Sequence, residues 1–483
     1  MTIGVLGGLG VLVGTARCTR KPGPSQSSAP STLRVGVGGL PQQGADAGLA
    51  PLVGSLSVES LVVPNDDGRM RASLAESWST SPDGLSVTVR IYRGAKFHDG
   101  TPVTGPLVAD ALKKALPASM GPAFEDISQV LAIDDSSVRF ELRRPSPFVI
   151  EALETVITKP GAPPVGTGPF VAGAAGATPT VLKANPLYYR EHPAISEISI
   201  TSYPTARAAW AELLRGNVDM LYEVGLDALD SLQGASNVAV FSFSRHYQYT
   251  ILFGPKATAL HSPEVRRALS AAIDREAIVR EALNGHGLAS SGPVKPDHWA
   301  FNRSTRPALN RELAKTLAGK HLKFSCLVPA DSVYERIALA VRQQLATISV
   351  DMQVVQASQQ QVRDAAQTGN FEALLGDIVS GPTILRSFRQ FDSHMHALPK
   401  IPSAAIDAAL DRIRHAASDD EYRLGVAAFE QAMADEPPAL FLAWGERARA
   451  VSRRFDVPAP EKGRDVLSTL RLWRPVPQTG STN

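Results

Sequence analysis

Few residues in this chain are arranged as though for chemistry. The stretch Asp392-Ser393-His394-Met395-His396 is the one metal-like cluster in the sequence. In an extended segment side chains two apart share a side, so His394 and His396 could together hold a soft divalent ion. The plainer reading, adopted here, is a loop with two solvated histidines, and no metal or other cofactor is assigned. Gly38-Gly39-Leu40-Pro41-Gln42-Gln43 follows a short strand, as a phosphate cradle would, but the GxGxxG and GxxxxGK[ST] spacings are absent. HExxH, a CxxC pair and GxSxG are absent too. No catalytic residue is assigned.

Composition narrows the class further. The 483 residues are 44% hydrophobic and 20% charged, a globular composition with material for two or three domains. The 49 basic and 47 acidic residues leave a net charge of +2, and no Lys/Arg block suggests a phosphate-tracking face. Nucleic acid is therefore not the expected partner. Cys326 alternates with Leu322, Phe324 and Val328 and reads as a small buried apolar residue.

The N-terminal segment 1–18 is apolar and Gly-rich and ends on Cys18. It is too short to span a bilayer comfortably but suits the apolar core of an export signal. Thr15-Ala16-Arg17-Cys18 is similar to a lipoprotein cleavage box, which would make Cys18 the lipidated residue. Arg17 stands where such boxes carry a small residue, and no Lys or Arg precedes the apolar run. Residues 19–31, rich in Pro and Ser, read as a flexible tether. With Cys18 lipidated, no intramolecular disulfide remains available.

The elements that would position a site are legible from periodicity. Leu33–Val37 is a first strand. Pro82-Asp83-Gly84 is a turn, after which Leu85, Val87, Val89 and Ile91 alternate with polar residues as in a half-buried strand. Ala95–Val103 is a compact loop anchored by Phe97, with His98 a structural or surface histidine, and Thr104 can cap a helix over Leu107–Leu116. Val138–Leu142 is a strand, and Thr205 can cap a helix carrying Ala206 to Leu214. Phe241–Phe253, alternating and rich in aromatic β-formers, reads as a strand. Ser262 and Asp274 open two consecutive helices. Leu309–Leu317 looks helical, and Leu322–Val328, the helix around Tyr334–Leu345 and Val350–Val354 form a βαβ unit. Tyr422–Met433 is a helix, and Ala439–Trp444 is a short apolar strand.

Several of these stretches together carry a resemblance. Pro82–Thr104 (PDGLSVTVRIYRGAKFHDGTPVT), Leu74-Ala75-Glu76-Ser77-Trp78, Gly166-Thr167-Gly168-Pro169-Phe170, Asn185-Pro186-Leu187-Tyr188, Val218-Asp219 and the Pro263–Val279 segment stand in the order found in family 5 extracellular solute-binding proteins. The chain resembles these peptide- and nickel-type binding components of ABC importers. The resemblance implies an α/β, two-lobed periplasmic-binding-protein-like fold of type II, the large peptide-binding class, with an extra subdomain in the first lobe. Lobe I would take residues 32–246 with the subdomain at about 50–160, lobe II residues 247–438, the return to lobe I 439–475, and a tail 476–483. It also implies an exported, membrane-anchored monomer that binds an oligopeptide or dipeptide between its lobes and delivers it to an ABC permease. Other readings are a binder of a nickel or other metal complex or a non-peptide solute, a sensory binding protein without a transport partner, and a cleft hydrolase.

Ligand-contacting residues are expected around such a cleft: Leu40 and Gln42 after the first strand, Tyr247 and Tyr249 at the crossing, and Trp444 on the return. At Gly376-Asp377-Ile378-Val379-Ser380-Gly381-Pro382 the chain departs from the family's pattern. Many peptide-binding members carry an Asp-Pro there whose carboxylate pairs the peptide's α-ammonium, whereas Gly381 precedes Pro382 here. Asp377 is the candidate substitute, because an ammonium buried without a counter-charge is costly.

Overall fold

The computed structural model describes residues 31–39, 48–161, 164–173, 176–303, 309–397, 399–460 and 464–477. Cys18, Leu40, Gln42, the export-signal segment and nearly all of the tether lie outside the described residues.

The fold is mixed α/β, organised on one eleven-stranded sheet. Its order is Phe170–Ala172, Thr180–Ala184, Glu197–Tyr203, Thr32–Gly38, Met220–Leu221, Ala439–Ser452, Val238–Phe253, Ala373–Val379, Lys323–Pro329 and Asp351–Ala357, with Gly287–Ala289 added on Ala439–Ser452. The first strand pairs in parallel with Glu197–Tyr203 and Met220–Leu221. At the other end Lys323–Pro329 pairs in parallel with Asp351–Ala357 and Ala373–Val379, and the helix Ser332–Ala346 makes the crossover expected of a βαβ unit. Two lobes are thus joined through two long antiparallel strands, Val238–Phe253 and Ala439–Ser452.

Sequence-read elements recur with shifted ends. The strand after Pro82 runs Ser86–Ile91, and the helix after Thr104 runs Gly105–Met120. Thr104 occupies the N-cap position but its hydroxyl makes no capping bond. The helix start is instead pinned by Gly105, whose amide bonds to the Asp135 carbonyl and where a Cβ would lie 2.2 Å from the Asp134 carbonyl oxygen. Thr205, Ser262 and Asp274 do cap their helices through side-chain oxygens. Leu309–Leu317 contracts to Arg311–Lys315, capped by Asn310.

Ala439–Trp444 extends eight residues further than its apolar run, to Ser452. Beyond Trp444 the alternation is Arg447 and Arg449 on one face with Ala448 and Ala450 on the other. The alanines are buried in the first lobe's core and the arginines face the cleft.

A four-stranded antiparallel sheet, Ala75–Thr80, Ser86–Ile91, Ser137–Leu142 and Ile127–Asp134 in that order, forms with Gly105–Met120 the body of the inserted subdomain. Its chain leaves and rejoins the first lobe, yet its apolar core is continuous with second-lobe helices: Val89, Leu112, Phe140 and Phe148 share one buried cluster with Phe388, Leu410 and Phe429. The first lobe's two clusters, one including Val35, Ile198 and Trp473 and the other Ala209, Ala448 and Ala450, are separate from it. Toward the first lobe the insert makes polar contacts. Glu59 accepts hydrogen bonds from Thr167, Tyr188 and Tyr189, and His98 Nε2–H donates to the Gly168 carbonyl at 3.0 Å. Gly166 and Gly168 are small for packing reasons. A Cβ on either would lie within 2.6 Å of the carbonyl oxygens of Ser57 or Leu56.

Candidate ligand cleft

The site is built at the point where the two long strands cross. Along Val238–Phe253 the register with Ala439–Ser452 slips between Ser244, opposite Glu446, and Gln248, opposite Trp444. Three residues of one strand, 245 to 247, therefore stand against Gly445 alone. A bulge of this kind breaks the alternation of side chains and re-aims them. As a result His246, Tyr247 and Tyr249 all line one cleft of about 880 Å³, within the range typical of small-molecule sites.

The cleft draws residues from both ends of the sheet. Gly38, Tyr222 and Glu223 belong to the first lobe, and Tyr334, Asp377 and Arg386 to the second, while Arg447 and Arg449 come from the return strand. Tyr249 pairs directly with Asp377 across adjacent strands. Tyr249 is only 3% exposed and packs edge-on against the Tyr334 ring, whereas Tyr247 is 42% exposed.

One electrostatic cluster centres on Arg447. Its Nη1 lies 3.3 Å from Glu223 Oε1. Burial opposes its charge, but Tyr249, Glu223, Asp377 and Tyr334 around it hold it protonated. Asp377 accepts a hydrogen bond from the Tyr334 hydroxyl, and burial followed by that carboxylate pushes the phenol well above its ordinary range. Asp377 thus faces the cleft with Arg447 and Tyr334 already engaging it. Arg449 is held by Asp465 at 2.6 Å and lies 3.9 Å above the Tyr222 ring.

A second cluster surrounds His246. Burial, then the cations Arg386, Lys295 and Arg464, push its imidazole down to about 3, so it is neutral at physiological pH. Its Nδ1 is enclosed and has no hydrogen-bond partner. Arg386 is fixed by Glu154 at 2.6 Å and by the Gly381 carbonyl at 2.7 Å.

The expected site residues fall out unevenly. Tyr247, Tyr249 and Asp377 line the cleft. Trp444 does not: it is 0% exposed, beneath the sheet crossing, with its ring against Gly381. An apolar strand that passes through the core places its indole inside, which the run ALFLAW itself signals. His394 and His396 are exposed and lie away from the cleft, His394 Nδ1 standing 3.2 Å from Asp392 Oδ1. Among the described residues no group of three or more His, Cys, Asp or Glu side chains is placed to hold a metal ion. His246, Arg386, Arg447 and Arg449 were not anticipated. The Glu446-Arg447-Ala448-Arg449-Ala450 alternation was the available signal for two of them, while the bulge that exposes His246 has none.

A sequence model of the bacterial extracellular solute-binding proteins, family 5 (middle region), matches residues 69–390, two thirds of the chain. The chain belongs to this family. The matched span holds His246, Tyr247, Tyr249, Asp377 and Arg386 and stops short of the return strand. Among curated relatives, the probable D,D-dipeptide-binding periplasmic protein DdpA of Escherichia coli K12 is 26% identical over 337 residues, covering 64% of this chain. The alignment spans 65% of that relative's own length. Among solved structures, NikZ from Campylobacter jejuni in complex with Ni(L-His) superposes with a TM-score of 0.78 at 20% identity, covering 92% of this chain and 99% of that one. AgaA from A. tumefaciens R10 in complex with agropinic acid gives 0.77 at 23% identity, with the same coverage of each chain. These solute-binding structures share the fold of this family 5 protein.

Proposed function

We propose that this family 5 protein is the extracytoplasmic binding component of an ABC importer, taking an oligopeptide or dipeptide into the cleft and delivering it to a membrane permease. The observation that carries this reading is the placement of a cleft of about 880 Å³ at the crossing of the two strands that join the lobes. Bending at that crossing would close both walls on a ligand, and the free-energy difference between open-empty and closed-loaded forms would signal loading. On this reading lobe I comprises residues 32–246, lobe II 247–438, and 439–475 return to lobe I. The protein acts as a monomer, is anchored through Cys18 and does no chemistry on its ligand.

Native mass spectrometry of the purified protein tests the ligand class. A co-purified oligopeptide is expected, and a metal complex or sugar in its place would overturn the peptide reading. With that peptide, Tyr247→Ala should weaken binding about tenfold, the loss typical of an aromatic contact, while leaving thermal stability unchanged. Cleavage of the peptide by the purified protein would favour the hydrolase reading instead.

A further inference from the structure

We propose that His286 is a proton-controlled brace between the lobes at the strand crossing, a step that rests on bending there and not on which solute the cleft takes.

The brace draws on three elements. His286 belongs to the second lobe, in the turn between the helix Arg275–Ala282 and the strand Gly287–Ala289. That strand pairs with the return strand, Gly287 opposite Gly445, which brings His286 beside Glu446. Its Nδ1 stands 3.5 Å from Glu446 Oε2. Its Nε2 stands 3.5 Å from Oδ1 of Asp230, on the first-lobe helix Leu226–Gln233. Glu446 alternates with Arg447, so it faces away from the cleft that Arg447 lines, and none of His286, Asp230 and Glu446 lines that cleft. The brace therefore acts on the hinge and not on a bound solute.

Hydrogen-bond valence decides what the proton does. A carboxylate only accepts, and a neutral imidazole carries one N–H. With a carboxylate at each nitrogen, the neutral ring must turn one lone pair toward an anion. Only the imidazolium donates both ways. Nε2 is sealed from solvent and has no hydrogen-bond partner among the described residues. Asp230 is the carboxylate able to turn away, its side chain being 79% exposed against 29% for Glu446. Loss of the proton thus releases the first-lobe contact and keeps the one on the strand. The neighbouring charges are already engaged. Arg280 pairs with Glu281 at 2.9 Å, Arg336 donates to the Ala282 carbonyl, and Arg447 on the cleft side pairs with Glu223. An ion pair this exposed adds little to global stability, but open and closed forms differ by free energies small enough for it to bias. Charged His286 holds the lobes at the bend of this structure, and neutral His286 lets them move.

The test places spin labels at Ala50→Cys and Gln360→Cys, next to Pro51 and Gln359, which line the cleft from either lobe. Cys18→Ser removes the other reactive thiol, and the buried Cys326 stays in place. Protein dialysed out of urea to strip any solute is read by pulsed EPR at about pH 5 and about pH 8, the span over which histidine ordinarily changes charge. The inter-lobe distance distribution should be narrow at the acid end and broad at the other. His286→Gln and Asp230→Asn should be broad at both, and His286→Arg, a permanent cation, narrow at both. Glu151 titrates within the same span at another interface. A pH response that persists in His286→Gln would therefore overturn the brace, as would its absence in the wild type. Distributions that stay narrow in every variant would remove the bending itself, whatever solute the cleft takes.

Discussion

Arg414 Nε lies 2.6 Å from Asp126 Oδ2, its Nη2 lies 3.0 Å from Oδ1, and both side chains are nearly sealed from solvent. The pair joins the inserted subdomain to the second lobe, 288 residues apart in sequence. His415 Nε2 stands 3.2 Å from the same carboxylate. Burial pushes Asp126 up, but the bonds from His415 and Arg414 outweigh it and hold the carboxyl below its usual 3.8.

Removing one partner leaves the other charged and buried. Asp126→Leu should therefore destabilise the protein by about 3–5 kcal/mol in urea unfolding, and Asp126→Leu with Arg414→Met should recover much of the loss. The sign with pH follows from the depressed value. The contribution of Asp126 is complete above its unfolded pKa near 3.8 and is lost as pH falls through its lower folded value. An unchanged urea midpoint in Asp126→Leu at neutral pH would show that the pair does not hold the insert in place.

Glu151 titrates in the opposite sense at the same interface. It accepts hydrogen bonds from the Leu385 amide at 2.7 Å and the Tyr422 hydroxyl at 2.7 Å. Burial dominates over both and pushes it up to about 7. The folded state then holds a proton that the unfolded state has released between pH 4.5 and about 7. Stability should fall as pH rises through that window and level off above it. Glu151→Gln, which keeps the shape without the charge, should flatten that slope. The check is denaturant unfolding of both proteins across the window, and parallel profiles would refute the assignment.

What the sequence disclosed depended on whether a feature was local. The strand after Pro82, the caps at Thr205, Ser262 and Asp274, and the βαβ unit around Ser332–Ala346 are set by residues within a few positions of each other, and periodicity finds them. The motif order sufficed to place the family. The site is non-local. His246 reaches the cleft only because two strands nearly 200 residues apart slip in register, and no spacing within either strand encodes that slip. Trp444 stood out as a large aromatic on a crossing strand, but it ends a run, Ala439–Trp444, that is buried throughout. Arg447 and Arg449 lie past the apolar run that marks the strand, because a strand lining a polar cleft alternates charged and small residues and carries no apolar period there.

Gly381, the residue before Pro382, packs against that same buried tryptophan. A Cβ built on Gly381 would lie 3.1 Å from Trp444 Cη2 and 3.3 Å from Cζ3. The indole is enclosed on the floor of the crossing and has little room to retreat. A side chain at 381 would therefore press on Trp444, so an aspartate could not be accommodated there without moving it. Gly381→Ala should destabilise the protein by about 1–3 kcal/mol, the usual range for overpacking, and Gly381→Asp by more. In a Trp444→Leu background, which itself opens space, the Gly381→Ala penalty should shrink or reverse, giving a coupling of about 0.5–3 kcal/mol in a double-mutant cycle. Urea unfolding of the four proteins measures it. Equal penalties in the two backgrounds would mean that the glycine is required for some reason other than the indole beside it.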